Sequence, residues 1–135
     1  MIVVDASVVA FLLIDGELTD AVRELHRINP DWVTPPILNH EMLNILAAVG
    51  SAEGNSAAME GVWRDVRALV ASRQQVPDPV RSLRLGVELG ISGNEAQYLC
   101  LADSLGLPLI TQEKNLLQAA PQRAVSVLDY LGSLS

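Results

Sequence analysis

The run Ile2-Val3-Val4-Asp5 decides the fold class, because a β-branched apolar segment ends there on a single acidic residue. A continuous apolar run of this kind is typical of a parallel strand that is buried on both faces. Asp is a preferred residue at the start of a helix, and the pattern that follows to about Leu13 is helical. The beginning of the chain therefore predicts a strand, an acid at its carboxyl end, and a helix.

The same alternation of strands and helices continues along the chain. The pattern predicts further strands at Trp32–Thr34, Gln75–Val76, Leu109–Thr111 and Val125–Val127. It predicts helices at Leu18–Ile28, Pro36–Val49, Asn55–Ser72, Val80–Leu89, Ser92–Leu105 and Lys114–Ala119, with a loop at Ser51–Ser56. Because strands alternate with helices and no two-residue hairpin signal occurs, we expect an α/β fold with a mainly parallel sheet. We expect one domain over residues 1–135, with its site at the carboxyl ends of the strands.

Composition limits the kinds of site that this chain can carry. Half of its residues are apolar and 19% are charged, which is typical of a folded globular chain. The single Cys100 excludes an internal disulfide and a cysteine-based zinc site, and only two histidines accompany it. A hard cation with oxygen ligands remains open.

The start of the chain and its hydropathy predict a cytoplasmic protein with no membrane contact. The apolar start lacks a basic region, and Asp5 interrupts it early. No stretch reaches the ~20 apolar residues that a membrane span requires.

Charge argues against strong unaided binding of a nucleic acid. Sixteen acidic residues outnumber nine basic ones, which gives a net charge of −7, whereas phosphate contacts require a basic surface. A local basic strip is still open, because arginines pair at helical spacing at positions 64 and 67 and at positions 81 and 84. Each pair is compatible with an ordinary solvated helix face. As a hypothesis, Arg81 and Arg84 contact RNA.

Four acidic residues are candidate site residues, and each also has a simpler explanation. Asp5 suits a helix cap, and Glu95 in Ser92-Gly93-Asn94-Glu95 suits a capping box. Glu113 suits the start of a short helix, where an acid interacts favourably with the helix dipole. Glu41 lies in a helix that is apolar almost all round, where a buried carboxylate normally pairs or binds metal.

Their joint placement predicts more than any one of them. Asp5 and Glu113 each follow a predicted parallel strand, so their side chains can emerge at the same edge of the sheet. The helices that carry Glu41 and Glu95 can pack beside that edge. Four carboxylates in a poorly solvated cleft would repel one another strongly, and Mg²⁺ or Mn²⁺ is the natural compensation.

Four blocks of sequence resemble the PIN domain family, and specifically its small toxin nucleases of VapBC-type toxin–antitoxin pairs. The blocks are IVVDAS (2–7), PILNHEMLNIL (36–46), GISGNEAQYLCLA (90–102) and LPLITQE (107–113). Their order and spacing match the family, and the resemblance covers nearly the whole chain. It implies a three-layer αβα fold around a central sheet of about four to five strands.

The resemblance also implies an activity, which is hydrolysis of RNA by an endoribonuclease that depends on Mg²⁺ or Mn²⁺. Asp5, Glu41, Glu95 and Glu113 match the catalytic acids, and Asp5, Glu95 and Glu113 would chiefly hold the metal. Thr111 matches a position that often supplies a hydroxyl near the acids. Asn44 lies one turn from Glu41, and both are candidates for a supporting role beside the acids. Glu95 and Glu113 stand where the family usually has Asp, so each side chain is one methylene longer.

The family commonly forms homodimers and is bound by a cognate antitoxin, so the resemblance implies both partners. Two other readings of the sequence stay open. One is a catalytically weak PIN-like module that mainly binds protein, which the acidic balance and the two longer side chains favour. The other is a phosphate-receiver-like α/β protein, in which Glu41 and Glu95 would have no role.

Overall fold

A four-stranded sheet forms the centre of the protein, whose computed structural model describes residues 1–135. Its strands are β1 (Ile2–Val4), β2 (Trp32–Val33), β3 (Leu109–Ile110) and β4 (Ala124–Val125). The strand order is β2-β1-β3-β4, and all three pairings are parallel. The predicted parallel sheet is therefore confirmed.

Eight α-helices flank this sheet, which confirms the predicted three-layer αβα fold. They are α1 (Ala6–Leu13), α2 (Thr19–Ile28), α3 (Ile37–Glu53), α4 (Ser56–Val70), α5 (Pro79–Leu89), α6 (Gly93–Leu105), α7 (Lys114–Ala119) and α8 (Val127–Ser133). A short 3₁₀ turn, Ala71–Arg73, follows α4. No helix combines the length and the apolar character that crossing a membrane would require.

The core is aliphatic and continuous across the sheet. The three residues of β1 are fully buried, and they belong to one cluster of 25 buried hydrophobic side chains. Trp32 and Tyr98 are the large aromatic residues within it. Close packing of this kind holds the strand ends in fixed positions.

The order of the strands creates a crevice at the carboxyl end of β1. The chain leaves β1 for β2 on one side of it and later places β3 on its other side. In open parallel sheets such a switch point is where ligands bind. The register pairs Val4 with Ile110, so the residues that follow, Asp5 and Thr111, come out side by side.

The prediction of a loop at Ser51–Ser56 is wrong, because α3 continues to Glu53. Gly50 does not break the helix; a Cβ there would lie 2.9 Å from Cγ of Met59, so glycine allows α4 to pack closely. The turn is made instead by Gly54, whose φ of 64° favours glycine, and Asn55, which caps α4.

Two of the predicted strands also differ from the structure. Gln75–Val76 is not a strand, and the sheet is extended there only by an isolated bridge between Thr34 and Gln74. The last strand ends at Val125, because the Ser126 side chain accepts a hydrogen bond from the Asp129 N–H and starts α8. The sequence pattern did not predict α8, because Val125-Ser126-Val127 also suits a strand.

Candidate acidic site

Asp5 caps α1 at the end of β1, and its carboxylate is almost completely buried. Its Oδ1 accepts hydrogen bonds from the Ser7 N–H at 3.1 Å and from the Ser7 Oγ–H at 2.5 Å. Its Oδ2 accepts a hydrogen bond from the Thr111 hydroxyl. Burial raises the pKa of Asp5 to about 6, although the hydroxyls of Ser7 and Thr111 lower it. Asp5 is therefore a helix cap and also an acid whose charge is withdrawn from water.

The Asp5 side chain is held by a network that ties the β3 end to α1. Thr111 Oγ1 accepts a hydrogen bond from the Glu113 N–H at 2.9 Å. Ser7 Oγ accepts one from the Gln112 N–H at 3.1 Å, and Gln112 Oε1 accepts one from the Val127 N–H at 2.9 Å. These bonds fix the segment after β3, and with it the backbone of Glu113.

Glu41 lies on α3, half-buried, and is bound by a residue of α6. The hydroxyl of Tyr98 donates to Glu41 Oε1 at 2.6 Å, while Oε2 accepts no hydrogen bond from the protein. Burial raises the pKa of Glu41, the Tyr98 hydroxyl lowers it, and the negative charges of Glu113 and Glu95 raise it further.

Glu95 forms the predicted capping box at the start of α6. Its Oε1 accepts a hydrogen bond from the Ser92 N–H, and its own N–H donates to Ser92 Oγ, both at 3.0 Å. The side chain thus has a structural role that does not depend on any ligand. The capping role predicted for Glu95 is therefore confirmed, and Glu95 also lines the pocket.

Glu113 is exposed, and its carboxylate accepts no hydrogen bond from the protein. All four acids line one pocket of about 290 Å³. Its other lining residues are Ala6, Ser7, Ser92, Asn94, Tyr98, Asn115 and Leu116. No Lys or Arg lines this pocket, so its charge is strongly negative and is not compensated by the chain.

The donors fit a hard divalent cation in type and charge, but they do not already form a closed metal site. No three Asp, Glu, His or Cys side chains converge closely enough to hold one ion. The Glu95 carboxylate turns to its helix cap and that of Glu41 turns to Tyr98. Ligation of one ion by three of these acids would therefore require side-chain rotation.

Two residues of the site were missed by the sequence analysis. Ser7 orients Asp5, and Tyr98 orients Glu41. A signal for Tyr98 was present, since it is the single hydroxyl in an otherwise apolar run and lies one turn after Glu95. Ser7 gave no signal beyond its position two residues after a capping Asp.

The remaining predicted site residues have different surroundings. Thr111 is completely buried against Asp5, which matches its predicted supporting position. Asn44 is exposed and does not line the pocket. Arg81 pairs with Asp103 and also donates to Ser104 Oγ at 3.3 Å, whereas Arg84 is exposed and forms no salt bridge. The RNA contact of these two arginines stays a prediction.

The fold and the pocket define this chain as a three-layer αβα protein with an acidic crevice at the switch point of its sheet. Neither the models of known protein families nor the curated proteins contain a match. Solved structures do match. PAE2754 from Pyrobaculum aerophilum superposes with a TM-score of 0.73 at 24% identity, over 98% of this chain and 94% of that one.

A second similar structure is a chain of a toxin–antitoxin complex from Klebsiella pneumoniae. Its TM-score is 0.68 at 16% identity, over 94% of this chain and 98% of that one. Identities this low establish a shared fold, and the full coverage shows that the fold is shared from end to end.

Proposed function

We propose that this protein is a divalent-metal-dependent endoribonuclease and the toxin of a toxin–antitoxin pair. The observation that carries the proposal is the convergence of Asp5, Glu41, Glu95 and Glu113 on one pocket that no basic residue lines. Four carboxylates around one pocket, of which Asp5 is buried, repel one another, and a cation would offset that repulsion. The fold shared with a chain of a toxin–antitoxin complex supports the biological role.

Asp5, Glu95 and Glu113 would hold the ion, because they surround the crevice at the ends of β1 and β3. Bound Mg²⁺ or Mn²⁺ would lower the pKa of a water molecule and neutralise the charge that develops on a phosphodiester. The Ser7 and Thr111 hydroxyls keep the Asp5 carboxylate in one orientation. No histidine, serine or cysteine nucleophile is needed.

Glu41 is suited to act as a general base that accepts a proton from water. Tyr98 occupies its Oε1, so Oε2 is left to accept a hydrogen bond or a proton from an attacking water. The raised pKa of Glu41 improves its match to a proton transfer near neutral pH. Tyr98 also fixes the direction in which Oε2 points.

The proposal includes three further properties. The partners are an RNA substrate and an antitoxin protein, and the location is the cytoplasm. We also propose a homodimer. An exposed apolar stripe on and before α5 supports it, with Val76, Val80, Leu83 and Val87 each 63–81% exposed.

A second candidate function is a PIN-like module that binds protein and has little or no catalytic activity. The absence of three convergent metal donors favours it, as do the longer side chains of Glu95 and Glu113. Ångström-scale displacement of catalytic groups can cost orders of magnitude in rate.

Cleavage of a structured RNA by the purified protein separates the two functions. We expect cleavage with Mn²⁺ or Mg²⁺, and its loss in Asp5→Asn, which removes one negative charge with little change in volume. Equal cleavage by both proteins would point to a contaminating nuclease. Absence of cleavage under every metal condition would refute the nuclease and leave the binding module.

A further inference from the structure

Arg67 on α4 is half-buried, and no acidic residue accompanies it. The salt bridges of this protein involve Arg23, Arg27, Arg73, Arg81 and Arg123, and each of these pairs with a carboxylate. The remaining arginines, Arg64 and Arg84, are exposed. Arg67 is thus the one arginine that is withdrawn from water without an anion, which is an unfavourable state for a charge.

The guanidinium of Arg67 is held from one side only. Its Nη1 donates to Asn39 Oδ1 at 2.8 Å and to Gln74 Oε1 at 3.2 Å. Gln74 Nε2 in turn donates to Asn39 Oδ1 at 2.9 Å and to the buried Thr34 hydroxyl at 3.4 Å. Nε and Nη2 of Arg67 donate to no protein atom. This cluster orients the head group and leaves its Nε–Nη2 edge without a protein acceptor.

That edge is the part of a guanidinium that binds two oxygens of one anion. Arg27 uses the same edge in this protein, with Nε and Nη2 donating to the two oxygens of Glu24 at 2.8 and 2.6 Å. The planar fork matches a carboxylate or a phosphate equally well. Arg67 therefore presents two parallel donors in the geometry that binds two oxygens of an anion.

The cluster and the acidic pocket share helix α3 but lie on different sides of it. Thr34 follows β2 as Asp5 follows β1, and the two strands are parallel neighbours, with Val3 beside Val33. Asn39 precedes Glu41 by two residues on α3, and residues two apart on a helix do not face each other. A nucleic-acid strand carries a phosphate at every nucleotide, and one strand can reach both places.

An aromatic side chain lies one helical turn from Arg67. Trp63 is half-buried and lines a groove of about 580 Å³ between α3 and α4, with Leu43 opposite on α3. Residues four apart on a helix share a face, so Trp63 and Arg67 adjoin. A cation beside an aromatic surface is the combination that proteins use to bind single strands.

We propose that Arg67 binds a backbone phosphate of single-stranded RNA through Nε and Nη2, with a base of that strand stacked on Trp63. The inference rests on the proposed function for the identity of the ligand, since it takes RNA as the substrate. Binding at Arg67 requires no catalysis and no metal, so it is measured separately.

The experiment titrates a single-stranded RNA oligonucleotide into the full-length protein in EDTA and follows tryptophan fluorescence. Trp32 is fully buried, so quenching reports on Trp63. We expect Arg67→Gln to lower the affinity about tenfold, as loss of charge-assisted hydrogen bonds does. The slope of log K against log salt concentration should fall by about 0.7.

Arg67→Lys should keep the slope and lose part of the affinity. Arg27→Gln, an equal change of charge on α2, should bind like the wild type.

Unchanged RNA affinity in a folded Arg67→Gln protein overturns the proposal, as does a loss that follows Arg81→Gln/Arg84→Gln instead. If the glutamine variant unfolds, wild-type affinity and quenching in Arg67→Lys overturn the bidentate contact. Binding that depends on Arg67, without cleavage in Mn²⁺, would refute the nuclease and support this inference. Cleavage in Mn²⁺ together with RNA binding that does not depend on Arg67 would support the nuclease and refute this inference.

Discussion

The hydroxyl of Tyr98 donates a 2.6 Å hydrogen bond to Oε1 of Glu41 and thereby joins α6 to α3 at the acidic pocket. Tyr98 is almost completely buried, so this bond is the means by which its hydroxyl is satisfied. Burial raises the pKa of Tyr98, and the negative charge of Glu41 raises it further, so the phenol stays protonated. This bond therefore links Tyr98, a core residue, to the orientation of the Glu41 carboxylate in the pocket.

Tyr98→Phe should reduce stability, because it removes the hydroxyl and retains the ring. A hydrogen bond to a charged group contributes about 1.5–3 kcal/mol, and Glu41 would lose its only protein donor. We expect the free energy of unfolding in urea at pH 7 to fall within that range. The pKa of Glu41 should rise in the variant, which moves the acid limb of any cleavage profile to higher pH. An unchanged free energy of unfolding would show that water replaces the hydroxyl fully.

Asp5→Asn should stabilise the metal-free protein at pH 7.5. The pKa of Asp5 is about 6 in the folded protein against 3.8 for the free side chain, so the folded state binds more protons between these values. Stability from the protonated form is complete below pH 3.8 and is lost as the pH rises through about 6. At 1.36 kcal/mol for each pKa unit, the ionised buried acid costs about 3 kcal/mol above pH 6.

Urea denaturation of wild type and Asp5→Asn in EDTA, at pH 4 and pH 7.5, measures this cost. The two proteins should differ little at pH 4, and the variant should be the more stable at pH 7.5. A variant that is less stable at pH 7.5 would mean that the Ser7 and Thr111 hydroxyls outweigh the burial of charge.

Mn²⁺ should raise the melting temperature of the wild type, since a ligand that binds only the folded state stabilises it. The increase should be smaller or absent in Asp5→Asn. A melting temperature that does not respond to Mn²⁺ in the wild type would remove the basis for the cation site. Ca²⁺-free buffer without phosphate avoids competing ions and precipitates.

Glu95→Gln and Glu95→Ala separate the capping role of Glu95 from metal binding. Gln also suits the third position of a capping box, so Glu95→Gln should retain the metal-free melting temperature. Its increase with Mn²⁺ should nevertheless shrink, because the anionic ligand is gone. Glu95→Ala should lower both. If Glu95→Gln responds to Mn²⁺ like the wild type, Glu95 is a cap and not a ligand.

Leu83→Glu should dissociate the proposed homodimer. Leu83 is 67% exposed at the centre of the apolar stripe, and burying a charge in such an interface is unfavourable. Light scattering after size exclusion gives the mass of each form. Leu128→Glu is the matched control, because Leu128 is 59% exposed on α8, which packs on α2, whereas α5 packs on α6. A monomeric wild type would contradict the homodimer.

The sequence predicted most of the elements correctly where local signals were strong. Gly90 and Gly106 end α5 and α6 as predicted, since each adopts a left-handed conformation that favours glycine. Prediction failed where a local signal was overruled by packing. Gly50 predicts the end of a helix, but α3 continues past it. Glycine is needed there because Met59 of α4 packs closely against it.

Asp5, Glu95 and Glu113 were found as candidates because each stands at the start of a helix, and Glu41 because it interrupts an apolar helix. The conformations of their side chains could not be predicted from the sequence. Whether Glu95 faces its cap or a metal depends on competition between two partners for one carboxylate. The Tyr98–Glu41 contact joins residues 57 positions apart, and no local pattern encodes such a pair.

The sequence by itself determined that this chain forms a parallel α/β sheet with carboxylates at its carboxyl edge, because hydrophobic periodicity and caps are local properties. Only the tertiary structure decided where Ile2–Val4 lies among the other strands, and therefore which residues surround Asp5. The position of β1 between β2 and β3 brings Asp5 beside Thr111, buries its charge and raises its pKa. Burial and long-range hydrogen bonds arise from packing of distant segments, and they convert an ordinary helix cap into the centre of the acidic site.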